Sequence, residues 1–539
     1  MLDETTVWIF RVVASLLCSC FFLAATVKSI GVMQQAGYDN KKFFSWLKKE
    51  RNTYASRLLF WSILSVASTA LVIFVFYFLQ EVAAMSMGAI PFFGFAILFC
   101  VIDREFALKV QAVKSGRWVR LAVLYCLLIA IASFALIVLC SLLDPLLELV
   151  YSWMRVIRFL PLCFMPLALP YLLAAANAIL LPFEKKHNEK FVERAGQVLN
   201  ENKAIKIGIV GSYGKTSVKN ILLSALSVRY KTVATPASYN TPMGIAKTVN
   251  GKEFGDAEVF LCEMGARKKG DIQELCDLVR PDYILFTGVC AQHVETFGGE
   301  EEVLKAKCEA LFSSAKMVVC GGLLEEKIRK NYPDKLDVCR FVGEAKDVVL
   351  RADGTEFTLP LQCGDVHVST KLLGDAAVEN VMLAASLCEC LGLSREEIEE
   401  GMCRLSPVPH RLELSEEGGV YILDDAYNCN IKGAKIAIEA LKRFGGKKYI
   451  VTPGIVETGV LEKEINGVLG GLLAVAGLDA ILLVGETQAK VIVDGYKNAG
   501  GNAEALKVVP SLAAATKYLQ GKLSVGDCVL FMNDLPDVV

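Results

Sequence analysis

The sequence predicts an α-helical membrane region followed by two α/β domains, the first a parallel sheet built around a phosphate-binding loop and the second smaller and Rossmann-like. Three observations lead there. Strongly apolar runs fill the chain before residue 183. Beyond residue 203, short β-rich runs alternate with helical patterns, as in parallel strands joined by helices. The first of those strands runs straight into Gly211-Ser212-Tyr213-Gly214-Lys215-Thr216-Ser217, where a helical pattern begins.

Composition sets the bounds. The chain has 539 residues, 54% of them hydrophobic and 21% charged, so one part suits lipid and the rest a soluble protein. Mean hydropathy is +0.43. Lys+Arg number 57 and Asp+Glu 58, and this balance excludes the basic excess of a nucleic-acid binder. The 18 cysteines include no C-x-x-C pair, which argues against a disulfide scaffold or a structural zinc site.

The membrane region is expected over 1–182, with about five crossings at 12–28, 58–79, 82–102, 119–142 and 159–182. Each run is long enough, or nearly so, for a hydrocarbon core about 30 Å thick. Asp3 and Glu4, and the lack of a small-residue cleavage site, argue against a signal peptide. Residues 28–57 carry Lys28, Lys41, Lys42, Lys48, Lys49, Arg51 and Arg57, and residues 103–120 carry Arg104, Lys109, Lys114, Arg117 and Arg120. The positive-inside rule puts those loops in the cytoplasm, and five crossings deliver Lys185 and all that follows to the same side. Residues 146–158 read equally as an interfacial amphipathic helix. The mid-run positions carry no ionisable residue, which favours an anchor over a transporter.

A linker is expected at 183–202, then the phosphate-loop domain at 203–408 and the C-terminal domain at 409–539, with a hinge at Pro407-Val408-Pro409. Strands are expected at 206–210, 259–264, 283–289 and 317–322, and a second series at 420–427, 447–454, 480–485 and 528–533. The glycines Gly211 and Gly214 let backbone N–H groups wrap a phosphate, and the following helix N-terminus favours the anion. Ser212 and Ser217 flank the same turn. Lys215 is spaced to reach β/γ-phosphates and the Thr216 hydroxyl to bind Mg²⁺. Ile209 occupies the place of the first glycine in the longer G-x-x-x-x-G-K-[ST] form, so this is the shorter G-x-x-G-K-T-S version.

That shorter loop resembles the one in the Mur ligases, the ATP-dependent amide-forming enzymes of peptidoglycan synthesis. Within the family it is most similar to the branch that adds D-alanyl-D-alanine to UDP-muramoyl-tripeptide. The resemblance runs over roughly residues 205–535 through several separated motifs. It implies ATP and Mg²⁺ as cofactors and a set of site residues. Glu263, at the end of a strand in Cys262-Glu263-Met264-Gly265-Ala266, matches a Mg²⁺-binding glutamate. His293 matches the histidine of H-x-E-x-F-G near a second metal. Lys307, two before Glu309, matches a lysine that is carbamoylated in many Mur ligases, and it fits better than Lys305. A loop histidine or a helix charge run would otherwise read as structure or a solvated face. Asn240 and Thr241 match a loop close to the γ-phosphate and acyl substrate. Asn380 matches an adenine contact, although Ala376-Ala377 stand where the family has His-Asn. Arg411 matches an arginine that meets the γ-phosphate. Asp425 is expected at the nucleotide edge, with Asn428 and Asn430 shaping the loop. The stretch 452–459 resembles a later family motif with either a structural or a site role.

Two departures bear on substrate. Membrane helices stand where the family has its UDP-sugar-binding domain, and Phe531-Met532-Asn533-Asp534 replaces a K-G-S-R segment near the incoming amino component. The expected function is a multi-pass, plasma-membrane-anchored ligase with its catalytic domains in the cytoplasm. It would join an amino acid or dipeptide to a peptidoglycan-precursor-like substrate, nucleotide-linked or lipid-linked, through an acyl phosphate. Its partners would be the lipid bilayer and these substrates, with no nucleic acid. A polyglutamate-type synthetase and a non-ligating membrane NTPase or scaffold are the alternatives.

Overall fold

The computed structural model describes residues 4–48, 58–60, 62–63, 112–142, 164–236, 239–289, 300–427, 429–456, 461–486 and 488–533. The chain packs as an N-terminal unit up to Asn188 and a second unit from Glu189.

Among the described residues, the N-terminal unit holds, wholly or in part, the helices α1 (Glu4–Gln35), α2 (Asn40–Leu47), α3 (Gly116–Leu142) and α4 (Met165–Glu201). Residues 183–201, expected as a linker, continue α4. Two helical stretches, Gly116–Leu139 and Met165–Glu201, are long and apolar enough to cross a membrane; a bent pair, Arg11–Ala24 with Thr26–Gln35, makes a third if it is one span. On α3 one face is buried through Leu121, Tyr125 and Ile129, while Val119, Val123, Leu127 and Ile131 remain exposed at four-residue intervals. Polar groups tie the helices together. Asn177 donates to Tyr38 O and Asn40 Oδ1, Asn40 to Ala174 O, and Arg120 to both oxygens of Glu184. Apart from residues 58–60 and 62–63, the expected runs at 58–79 and 82–102 lie outside the described residues, as does the 146–158 segment.

The second unit opens on six parallel strands, β1 (Ile205–Val210), β2 (Thr232–Ala234), β3 (Val259–Glu263), β4 (Tyr283–Phe286), β5 (Met317–Cys320) and β6 (Cys339–Phe341), in the order β2-β3-β1-β4-β5-β6. The chain first moves from β1 toward β2 and later returns to β4 on its other side. That reversal leaves a crevice at the C-terminal end of β1. Alternating side chains serve two cores. Ile207, Ile209, Leu261, Leu285 and Val319 face one with helices α5 (Lys215–Leu226) and α10 (Asp375–Cys390). Val210, Phe260, Phe286 and Cys320 face the other with α6 (Pro242–Val249) and α7 (Asp271–Val279). Val218, Ile221, Leu222 and Ala225 give α5 the three-and-four spacing of a buried helical face.

Helices α8 (Glu300–Cys308) and α9 (Glu325–Asn331) flank β5 in sequence. An antiparallel meander, β7 (Lys346–Leu350), β8 (Thr355–Leu361) and β9 (Gly364–Thr370), then precedes α10 and α11 (Arg395–Cys403). The meander was not expected from the sequence. Phe357, Leu359, Val366 and Val368 insert it into the same core as α10.

The C-terminal sheet has the order β10-β11-β15-β12-β13-β14. Its strands are β10 (Glu413–Glu417), β11 (Val420–Asp425), β12 (Lys448–Thr452), β13 (Ala480–Val484), β14 (Leu506–Val509) and β15 (Cys528–Met532). Only β10 runs antiparallel to its neighbour. Helices α12 (Ile431–Lys442), α13 (Glu462–Ala474), α14 (Ala489–Asn498) and α15 (Leu512–Gln520) connect them. Leu530, Ile450 and Leu483 pack on one face, and Val529, Val451 and Leu482 on the other.

Candidate active site

Steric exclusion shapes the loop after β1. Gly211 has φ +153°, and a Cβ there would lie 2.0 Å from Thr287 Oγ1. Ser212 N donates to Gly288 O at 2.8 Å, and Thr287 Oγ1 donates to Tyr213 O at 2.5 Å. The segment after β4 thus holds the loop in place. Gly214, at φ +76°, opens α5; a Cβ on it would meet Asn380 Oδ1 at 2.7 Å. Asn380 is therefore packed against the loop itself. Lys215 Nζ bonds back to Gly211 O at 2.9 Å. Ser212 Oγ is buried without a hydrogen-bond partner among the described residues.

Glu263 stands beside this loop at the end of β3 and is 2% exposed. Its Oε2 accepts from Thr216 Oγ1 at 3.0 Å and from Lys219 Nζ at 3.2 Å, and its Oε1 from Asn240 Nδ2 at 3.3 Å. Its own N–H is held by Thr235 Oγ1. Sequence reasoning missed Lys219, because a helix lysine reads as a surface residue. The available signal was its place four residues after Lys215, on the same helical face. Asn240 O also accepts from Gly265 N, while the Thr241 hydroxyl caps α6 through Gly244 N at 3.3 Å.

Thr216, Glu263, Asn240 and Thr241 share a cleft of about 700 Å³ with Lys307, Arg411 and Asp425. Lys307 is buried, whereas Lys305 lies on the solvent side in ion pairs with Glu301 and Glu302. Glu309 anchors the segment: its two oxygens accept from Gly270 N at 2.7 Å and Gln273 N at 3.1 Å, clamping the first turn of α7.

Arg411 arrives from the C-terminal domain on an unusual backbone. His410 and Leu412 on either side have φ +60° and +50°. Left-handed backbone costs non-glycine residues about 1–2 kcal/mol each. Hydrogen bonds from Leu412 N to Asp425 Oδ1, between His410 Nδ1 and Asp424 Oδ2, and from Tyr427 N to His410 O hold it. The Arg411 guanidinium lies 4.2 Å from the centre of the Tyr427 ring. Desolvation pushes the Asp425 carboxyl up to about 7, against the opposing pull of Arg411 and the Leu412 N–H.

A second cation from the same domain was also missed. Lys432 Nζ donates to Tyr213 OH at 3.0 Å, sits 4.3 Å from that ring's centre and 3.5 Å from Glu379 Oε2. Burial lowers its pKa, but the Tyr213 hydroxyl and the Glu379 carboxylate outweigh this and hold it above its ordinary value. Asn430 caps α12 through Gly433 N. Asn533, in the segment that departs from the resembled family, is buried; it accepts from Cys429 N and donates to Gly454 O. Asn466 is fully buried and holds Ile455 by both its N–H and its carbonyl, so residues 452–456 are braced from within. His293, Asn428 and residues 457–459 lie outside the described residues. Among the described residues no group of three His, Cys, Asp or Glu side chains forms a metal cage.

Residues 209–388 match the family profile described as the Mur ligase middle domain, and residues 410–534 match the Mur ligase, glutamate ligase domain. Over 318 residues the chain is 30% identical to UDP-N-acetylmuramoyl-tripeptide--D-alanyl-D-alanine ligase of Escherichia coli (strain K12), covering 55% of this chain and 68% of that protein. The chain belongs to the Mur ligase family. It is an ATP-dependent, amide-bond-forming ligase. Among Mur ligases it is also 27% identical to the enzyme of the same name from Bacillus subtilis (strain 168), covering 54% of this chain and 65% of the relative. The structure of MurF from Thermotoga maritima in complex with ADP aligns with a TM-score of 0.57 at 25% identity, covering 65% of this chain and 81% of that one. A MurF structure from Acinetobacter baumannii aligns with a TM-score of 0.58 at 23% identity, covering 64% and 77%, a likeness of fold.

Proposed function

We propose that this Mur ligase is anchored in the plasma membrane and, on the cytoplasmic face, joins D-alanyl-D-alanine or a similar amino component to a peptidoglycan-precursor peptide, through an acyl phosphate. The observation that carries the reading is the convergence of the loop 211–217, Glu263, Lys307 and Arg411 in one cleft.

In this reading the substrate carboxylate attacks the γ-phosphorus of ATP, the bond to the β–γ bridging oxygen breaks, and ADP leaves. The amine then attacks the acyl carbon, loses a proton and displaces phosphate. The loop N–H groups and Lys215 hold the β/γ-phosphates, and Ser212 Oγ is a buried donor available to an oxygen ligand. Arg411 meets the charge that develops on the transferred phosphoryl group. Asn380 and Asp425 border the nucleotide, and Asn240 and Thr241 the acyl end.

Thr216 Oγ1 and the Glu263 carboxylate, 3.0 Å apart, form a hard-oxygen pair that suits Mg²⁺, which takes few protein ligands and fills its shell with phosphate and water oxygens. Mg²⁺ there would neutralise charge on the phosphate oxygens. His293 and a carbamoylated Lys307 are proposed for a second cation. The buried position of Lys307 in the cleft supports its part.

Membrane anchoring is supported by the two long apolar helical stretches and by the uncovered stripe on α3. The matched relatives are named for UDP-linked tripeptide. Here we favour a lipid-linked carrier, because an apolar region precedes the ligase domains.

The test is phosphate release from ATP by the full chain in detergent, with nucleotide-linked and lipid-linked muropeptides, each with and without D-Ala-D-Ala or single amino acids. Release that needs both acyl substrate and amine, with a matching mass gain, supports the reading and identifies the carrier. ATP hydrolysis indifferent to every pair, with no new amide, overturns it in favour of a non-ligating NTPase.

A further inference from the structure

Lys219 is the one buried ammonium paired with Glu263 in the described structure, and the mechanism above gives it no task. It is 2% exposed, and its Nζ shares Glu263 Oε2 with the Thr216 hydroxyl. Positions 215 and 219 are one helical turn apart, so both lysines flank the phosphate loop from the same side of α5. The pairing is built in three ways. Glu263 is fixed at its backbone by Thr235 and at Oε1 by Asn240. Lys219 and Glu263 are each only 2% exposed, so little water reaches the pair. Gly265 hydrogen-bonds to Asn240 O, and a Cβ on Gly265 would strike the Asn240 side chain at 2.7 Å, so the amide is held in place.

We infer that Lys219 is a resident counter-cation that bars a divalent ion from the Thr216–Glu263 position until nucleotide phosphate arrives, so that the metal loads only with nucleotide. The inference rests on the assignment of that oxygen pair to Mg²⁺. Glu263 and Lys219 together carry no net charge. A divalent ion entering alone would meet an ammonium on the very carboxylate it needs, in a site poor in water. Nucleotide reverses that balance. Its β- and γ-phosphates bring several negative charges to the loop, and the cation then has phosphate oxygens on one side and the carboxylate on the other. The cation would take Oε1, whose donor is a neutral amide at 3.3 Å, with the Thr216 hydroxyl turning from Oε2 toward the ion. Lys219 retains Oε2 throughout. It acts through Glu263 and is a positioning residue.

The experiment is Mn²⁺ binding by the full chain in detergent, read from loss of the free-ion electron paramagnetic resonance signal, with and without ADP. Wild type is expected to bind Mn²⁺ at least tenfold more tightly with ADP than without. Lys219→Met, neutral and of similar length, is expected to close that gap by tightening nucleotide-free binding about tenfold; Lys219→Arg, which keeps the charge, should preserve it. Equal Mn²⁺ affinity with and without ADP in wild type overturns the inference, and so does a Lys219→Met protein that binds ADP yet shows the wild-type gap. If Lys219→Met does not fold, Lys219→Gln, also neutral, serves in the same comparison. Glu263→Gln separates the two readings: if it keeps ADP-dependent Mn²⁺ uptake, the metal assignment itself fails.

Discussion

At the residue scale, the cleft joins two buried charged residues, Glu263 and Lys307, to the half-buried Lys215 and Arg411. Lys215 is expected to act by stabilising developing phosphate charge, and removing such a group typically costs about 10²–10³-fold in rate. Lys215→Ala should therefore lower amide formation by about that factor and leave retention in membranes unchanged. Full ligation by the variant would rule out the loop's assigned role. Asp425 yields a pH prediction. Its folded value, about 7, lies above the ordinary 3.8, so the folded chain favours the protonated form. That contribution is complete below the ordinary value and disappears as pH rises through about 7. The melting temperature of the wild type should thus fall more steeply than that of Asp425→Asn between about pH 5 and pH 8. Parallel curves would show that Asp425 is ionised throughout. The sequence singled out Lys215, Thr216, Glu263 and Arg411 through motifs local in sequence, and the fold brings the four to one cleft. Lys219 was not legible, because only tertiary packing converts an ordinary helix lysine into a buried partner for a carboxylate 44 positions away.

At the element scale, legibility followed burial. The central strands β1, β3, β4, β12, β13 and β15 are mostly buried and read as predominantly apolar runs, with Lys206, Glu263 and Lys448 as the charged exceptions. The outer strands β2 and β6 have three residues each, and β10 is Glu-rich and largely exposed, so none offers such a run. In the meander, β8 and β9 alternate buried and less buried positions while β7 is almost wholly exposed, and the three strands form a sheet of their own outside the main one. Two elements carry tests. Gly211→Ala would drive a methyl group against Thr287 Oγ1 in a backbone region that alanine avoids. We expect a loss of about 1–3 kcal/mol in chemical denaturation, with ADP binding lost first. Glu309→Ala removes the clamp on α7 and should cost about 1 kcal/mol. It should also raise the acyl-substrate KM, because Lys307 lies on the same clamped segment. An unchanged KM would show that Lys307 needs no such anchor.

At the scale of the whole molecule, the sequence made plain that one chain joins an apolar helical region to two sheets, because composition changes abruptly near residue 203. If α3 and α4 span a bilayer, the full chain should stay in the membrane pellet after an alkaline carbonate wash; release into the supernatant would mean surface attachment only. Lys432 links the two sheets by reaching Tyr213 in the phosphate loop from α12. Lys432→Met should weaken ADP binding while leaving the fold of each sheet intact, as read by titration calorimetry and circular dichroism.

The Tyr213–Lys432 bridge also constrains inheritance. The two partners lie on opposite sides of the 389–409 junction between the matched family regions. An exchange of halves between relatives at that junction would take the aromatic ring from one parent and the ammonium from the other. Only crosses in which both parents carry the pair would keep the contact.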